Sequence, residues 1–499
     1  MEPISHIESI GAADSRPRVS LVRRGDKPFV PDRRPGFLVL ALLSFAIAAF
    51  AQPGESAQDW PHFGWDVSGS GAPSADMGID SENVGSVVRQ QIPLDGTVDS
   101  SPIYLRGAMI EGTSHDAFFV TTSYGKTIAI DANDGAILWE YTPDVYRSVA
   151  GTYRITNASP VADEDGKFVY AAAPDGMVRK LAVADGRPVW TTAITRLPTR
   201  EKIASSLNYF AGRVIAATDG YIGDAPPYQG HVALLDAKTG ALLRVWNSLD
   251  SNVHELLEPA AYPHSDSGIW GRAGVVVNPA DGDLYLATGN GLWDGKVDWG
   301  DSVIELDPDA MRILGNYTPV ETQRLDEEDR DLGSASPALL GGGLVVQGGK
   351  DGWVRLLDWR GMGGSLPHKG GEIDRVPTPS GGRMFGAFAV MHTEFRTWLF
   401  AADTGATCAW TVGDGRLTLQ WRADFGGTSP VIADGLLFVF DPVGALRVYD
   451  TVTGRAVATL PCGAGHWNSP IVADGRIALP EGNANRHLTT GLFDIWRLP

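Results

Sequence analysis

SSPIYLRGAMIEGTSHDAFFVTTSYGKTIAIDANDGAILW, residues 100–139, reads as four short strands separated by glycine-bearing turns. A Ser-Pro start leads into an apolar run, a glycine turn, a second run, a further glycine turn and a closing tryptophan. Alternation has period two, and sustained helical periodicity is almost absent. The unit returns as ASPVADEDGKFVYAAAPDGMVRKLAVADGRPVW at 158–190, and again from Ser205 to Trp246 through VALLDAKTG. Later copies start near Trp270, Ser336, Phe385, Ser429 and Ser469. The unit takes roughly 35 to 50 residues, in the range of repeat architectures, and insertions lengthen some of the spacings.

One such sheet cannot bury both of its faces. Radial stacking of similar sheets solves this and leaves only short, protected edges, which is the propeller solution. The starts predict an all-β, eight-bladed β-propeller. The eighth unit, SPIVADGRIALPEG with GLFDIWRLP, lacks an outer strand, and SVVRQQIPL at 86–94 has no blade of its own. Together they predict a ring closed by the N-terminal strand, with 86–499 as the propeller and 52–85 as an N-terminal extension. Asp131, Asp236, Asp307 and Asp450 share one place in the repeat, where a carboxylate accepts backbone N–H groups of the turn. Trp139, Trp190, Trp246 and Trp421 share another, and are expected to wedge between neighbouring blades. Residues that break the repeat are the candidates for function.

Residues 37–51, FLVLALLSFAIAAFA, follow Arg33 and Arg34 and end in a small-x-small motif. This is the pattern of a signal peptide, predicting cleavage after Ala51 and a periplasmic or secreted protein. The apolar run is short for a membrane span, which takes about 20 residues. No cysteine follows the cleavage site to carry a lipid anchor. The chain carries 41 basic and 60 acidic side chains, net −19, which argues against nucleic acid as a partner. Cys408 and Cys462 are its only cysteines, with neither a haem-attachment motif nor zinc-like spacing. In an oxidising compartment they either pair or stay as buried thiols.

In a four-stranded blade, the turn between strands two and three and the link to the next blade emerge at the same end. Four insertions enlarge that end: DGYIGDAPPYQG (219–230), LDSNVHELLEPAAYPHSDSG (249–268), TGNGLWDGKVDWG (288–300) and VETQRLDEEDRDLGS (320–334). With IWGRAGVVVNPADGDLYLATGNGLWDG, DEEDRDLGSASPALL and GGKDGWVRLLD, the chain resembles the propellers of pyrroloquinoline quinone (PQQ) dehydrogenases. Within them it resembles the polyvinyl-alcohol-dehydrogenase-like branch. The resemblance implies Trp270 as the floor under the PQQ ring, Lys350 as the cation facing its quinone oxygens, and Asn290 as an amide ligand to a bound metal. Asp329 is implied as general base and metal neighbour. Asp331 resembles the extra carboxylate of sites that hold a lanthanide instead of Ca²⁺. These residue types suit the chemistry: an aromatic face for a planar ring, oxygen donors for a hard cation, and a carboxylate to remove a proton.

Structural readings stand beside these. Asn290 lies between two glycines, where Asn serves a left-handed turn. Lys350 fits a solvated turn, Trp270 a channel plug at an inner strand, and Asp329 and Asp331 a solvated acidic loop. The family's metal-binding Glu is absent from the third-blade turn, which offers only Asp224, displaced by about one position. The vicinal cysteine pair is missing too. The reading is therefore an exported oxidoreductase oxidising a small or polymeric alcohol with PQQ and Ca²⁺ or a lanthanide, passing electrons to a separate acceptor. The alternative is a non-catalytic propeller serving as a scaffold for envelope proteins.

Overall fold

The computed structural model describes residues 59–262 and 265–499. The signal sequence expected over 1–51 and the first part of the extension lie outside the described residues. No helix among the described residues is long and apolar enough to cross a membrane. Eight antiparallel sheets follow one another, each with strand order 1-2-3-4 from the inside out. Blades 1 to 7 are formed in chain order by residues 103–141, 161–193, 201–247, 276–317, 338–377, 389–423 and 431–461. Blade 3 has its inner strand in two pieces, Glu201–Ile203 and Asn208–Phe210, both paired to Arg213–Gly220.

The eighth blade takes Ile471–Ala473, Arg476–Glu481 and Gly491–Arg497 from the C-terminus, and its outer strand Val88–Leu94 from the N-terminus. The register runs from Val88 opposite Arg497 to Leu94 opposite Gly491, so the two ends of the propeller segment close the ring. Arg89 reaches inward from this strand to Glu481 (2.5 Å) and to the fully buried Asp494 (2.8 Å).

The repeated residues have structural duties. Asp131, Asp236, Asp307 and Asp450 each accept backbone N–H groups two and three residues on. The Trp139, Trp190 and Trp421 indoles donate to carbonyls of the next blade, at Val183 (2.8 Å), Ala237 (3.1 Å) and Thr451 (2.8 Å). The turn glycine of that next blade packs on each ring: a Cβ on Gly186, Gly240 or Gly454 would sit within 2.7 Å of the indole. Trp246 is also buried between blades 3 and 4, but its Nε1 has no partner. Cys408 and Cys462 are free thiols, pushed up to about 12 by burial.

The extension has a task its sequence did not reveal. Between Trp60 and Met77 it exchanges backbone hydrogen bonds with Tyr104, Ala162, Val277, Val390, Ile432 and Gly475, in blades 1, 2, 4, 6, 7 and 8. These bonds lie along the inner strands and at the turns leaving them, away from the end that carries the four insertions. The extension thus laces the far end of the ring while the mouth stays clear.

Candidate functional site

The turns between strands two and three place Asp224 in blade 3, Asn290 in blade 4 and Lys350 in blade 5 at one end of the ring. Trp270 joins them from the link between blades 3 and 4. Asp329 and Asp331 come from the link between blades 4 and 5, just after the short helix Thr322–Glu327. Close approach depends on Gly289, where a Cβ would lie 2.4 Å from Asp331 Oδ1.

These residues meet. Lys350 Nζ donates to Asp329 Oδ1 (2.7 Å) and pairs with Asp331 Oδ2. The Asn290 backbone N–H donates to Asp331 Oδ1 (2.9 Å), and its side-chain amide donates to Asp329 Oδ1 (3.3 Å). The Lys350 ammonium stands 5.1 Å from the centre of the Trp270 ring. Trp270, Asp331, Lys350 and Asp224 line one cavity of about 290 Å³. Asp224 sits at its exposed rim, with the Tyr228 hydroxyl 3.4 Å from its carboxylate.

Several structural readings from the sequence give way here. Asn290 is absent from the residues with positive φ, so it is not a left-handed turn residue, whereas Asp224 (+48°) and Asp329 (+51°) are held there. Such backbone conformations are costly outside glycine. Lys350 is not solvated, its side chain being 11% exposed. The acidic run divides: Asp329 faces the mouth and Asp331 is buried. Trp270 stands in the link six residues before the inner strand Val276–Val277, not at its start.

The electrostatics follow from crowding. The Asp224 carboxyl is raised above the ordinary range, first by partial burial and then by the charge of Asp331. Burial would raise Asp329 also, but hydrogen bonding and charge from Lys350 outweigh it and hold that carboxyl low. The same carboxylates keep the Lys350 ammonium above its ordinary value against its burial. Deeper in the cavity, burial raises Asp219 and lowers Lys202.

Sequence reading missed the aromatic wall. Trp270, Phe385 and Trp467 form a triangle with ring centres 5.9 to 6.4 Å apart, and His466 stacks on Trp467 at 4.3 Å. Arg383, Lys202 and Asn485 also line the cavity, as do Asp219, Tyr221 and Tyr228. A signal was available: Phe385 and Trp467 each stand four residues before an inner strand, and Trp270 six before one.

The cavity fits a flat anionic ring, with an indole face, an ammonium above it, and cations at Lys202 and Arg383. Its volume lies near the lower end of the roughly 300–1,000 Å³ typical of small-molecule sites. The donors also suit a hard cation, because Asn290 Oδ1 is buried without a partner beside two carboxylates. Among the described residues, however, no three His, Cys, Asp or Glu are already spaced around a metal. The Lys350 ammonium holds Asp329 and Asp331 together and would have to swing aside.

Comparison with known proteins places this site in context. The chain is 28% identical over 357 residues to the quinohemoprotein alcohol dehydrogenase of Comamonas testosteroni, covering 61% of this chain and 48% of that protein. It is an eight-bladed propeller like those of the PQQ-dependent alcohol dehydrogenases. It thus spans about half the length of that relative. Among solved structures, the quinohemoprotein alcohol dehydrogenase ADHIIG of Pseudomonas putida HK5 superposes with a TM-score of 0.67 at 15% identity, over 89% of this chain and 80% of that one. A europium-containing methanol dehydrogenase gives 0.64 at 14% identity, over 89% and 98%. A family profile described as PQQ_2, outer membrane protein assembly factor BamB, matches residues 82–247. That span includes Asp224 but none of Trp270, Asn290, Asp329, Asp331 and Lys350.

Proposed function

We propose that this chain is an exported oxidoreductase that oxidises an alcohol using PQQ and a bound Ca²⁺ or lanthanide ion. One observation carries the reading: five residues matching the quinoprotein motif meet in one cluster at a cavity with an indole face, and Asp224 stands on the rim of that cavity. Trp270 would support the quinone ring, and Lys202 and Arg383 would attract its carboxylates. Asn290 Oδ1, Asp331, Asp329 and the rim carboxylate of Asp224 would hold the cation. When bound, quinone and metal supply a two-electron acceptor and a Lewis acid. The chain's own residues do the rest. Asp329 accepts the alcohol's hydroxyl proton, Lys350 sets the charge opposite the ring, and the Phe385–Trp467 wall shields one side from water. Substrates are small or polymeric alcohols, the latter if the chain belongs to the polyvinyl-alcohol-dehydrogenase-like branch. A separate protein or small molecule takes the electrons.

The test is reconstitution of purified protein with PQQ and Ca²⁺ or La³⁺. Bound-quinone absorbance that changes on adding alcohol is expected. If no quinone binds, the second reading replaces the first: a scaffold for envelope proteins, favoured by the profile that matches blades 1 to 3. Export has its own check. Mass spectrometry of periplasmic or secreted protein should find the N-terminus at Gln52 or within a few residues, and an intact Met1 there would refute cleavage.

A further inference from the structure

Across the Phe385–Trp467 wall lies a second cavity, of about 380 Å³. Its walls are the faces of Phe385, Trp467, Pro442 and Val443, with bare backbone at Gly386 and Gly427. Four titratable or charged side chains face it: Asp403, Asp441, His466 and Arg272. Three are committed elsewhere. The Asp403 carboxylate accepts the N–H groups of Ser380, Gly405 and Ala406. Asp441 pairs with Arg447 at 2.9 Å, and the His466 ring bonds Asp99 at 2.8 Å.

Arg272 is the exception. It is 1% exposed, and its two terminal nitrogens donate only to the carbonyls of Ala204 (3.2 Å) and Asn157 (2.5 Å). Its Nε has no partner, and among the described residues it forms no ion pair. The carboxylate whose charge it feels, Asp99, already accepts from His466, from the backbone of Trp467 and Ala484, and from Asn157. Its direct contacts are neutral carbonyls and the Trp467 face, 5.2 Å away, while the charges it feels without contact are the Asp99 carboxylate and the Lys202 ammonium. Burying a cation without an opposite charge is costly unless a counter-ion arrives. Burial lowers the guanidinium to about 10.

We propose that this second chamber binds a small carboxylate with an apolar body, its carboxyl on Arg272 and its body against Phe385, Trp467 and Val443. The assignment does not rest on the oxidoreductase reading. The chamber's shape and single uncommitted charge suit an aryl- or alkyl-acetate. Calorimetric titration of the mature chain with phenylacetate, and with the neutral phenylacetamide of the same shape, tests it. Phenylacetate should bind at least tenfold more tightly, because a carboxylate on a guanidinium makes the stronger hydrogen bonds. Val443 is 82% exposed at the chamber, so Val443→Trp should block binding at least tenfold while melting and circular dichroism stay unchanged. Arg272→Met should abolish the preference for the acid; if that variant fails to fold, Val443→Trp still decides. Equal binding of acid and amide, or wild-type affinity in Val443→Trp, would overturn the proposal. So would displacement of phenylacetate by PQQ, which would make the chamber part of the quinone's own pocket.

Discussion

Asp329→Asn should lower alcohol oxidation by the reconstituted protein by about 10²- to 10⁴-fold, the usual contribution of a positioned general base. Quinone binding should be retained, since on the proposed reading the ring would rest on Trp270 and face Lys350. The Asp329 side chain is 60% exposed at the mouth, so the fold does not depend on it. An amide of the same size still accepts from Lys350 and can face Asn290, but cannot take a proton. Dye-linked turnover with bound quinone measured in parallel separates the two effects. Glu328→Gln is the control: its carboxylate pairs with Arg330 at 2.7 Å outside the cluster, and activity should be unchanged. If Asp329→Asn keeps activity within threefold, the base lies elsewhere among the cavity's carboxylates.

The blade count was legible because each sheet is punctuated by its own turn chemistry, visible in residues such as Asp131 with Gly135 and Asp450 with Gly454. Ring closure was legible by subtraction, since 86–94 had no partner and the last unit lacked a strand. The insertions were legible because they interrupt a repeat, and the candidate residues on them, Asn290, Asp329 and Asp331, only through the resemblance to the quinoprotein motif. The aromatic wall was not. Trp270, Phe385 and Trp467 are more than 80 residues apart in sequence and sit where the eye follows the start of the next blade. Arg272 was hidden differently, inside a stretch whose Trp270 and Asn290 drew the chemical reading. The lacing by residues 60–77 was not legible because it uses backbone groups, and backbone bonding leaves no mark in side-chain pattern. The departure in blade 3 was visible in sequence as a missing Glu, and its outcome was not: Asp224 reaches the cavity only at the rim.

The largest stability effect is expected at the closure of the ring. Arg89 is the cation between Glu481 and the fully buried Asp494, and it comes from the strand that joins the two ends of the propeller. Arg89→Met keeps the bulk of the stem but leaves two buried carboxylates facing each other. Removing one partner of a buried ion pair typically costs about 3–5 kcal/mol. Even in the intact protein Asp494 is raised well above the ordinary carboxylate range, by burial and by its hydrogen bond to Glu481, with Arg89 acting against both. A carboxyl raised on folding contributes stability at pH below its unfolded value, and that contribution is lost as pH rises through the folded one. Without Arg89 the folded value rises further, so the deficit of the variant should be small near pH 5 and clearly larger near pH 8. Urea unfolding followed by tryptophan fluorescence at both pH values measures this. Adding Asp494→Asn to Arg89→Met should recover most of the loss at pH 8 by removing one of the two charges. A pH-independent deficit, or no rescue, would mean that Arg89 stabilises the closing strand through packing on Trp496, 5.7 Å from its guanidinium, and not through charge.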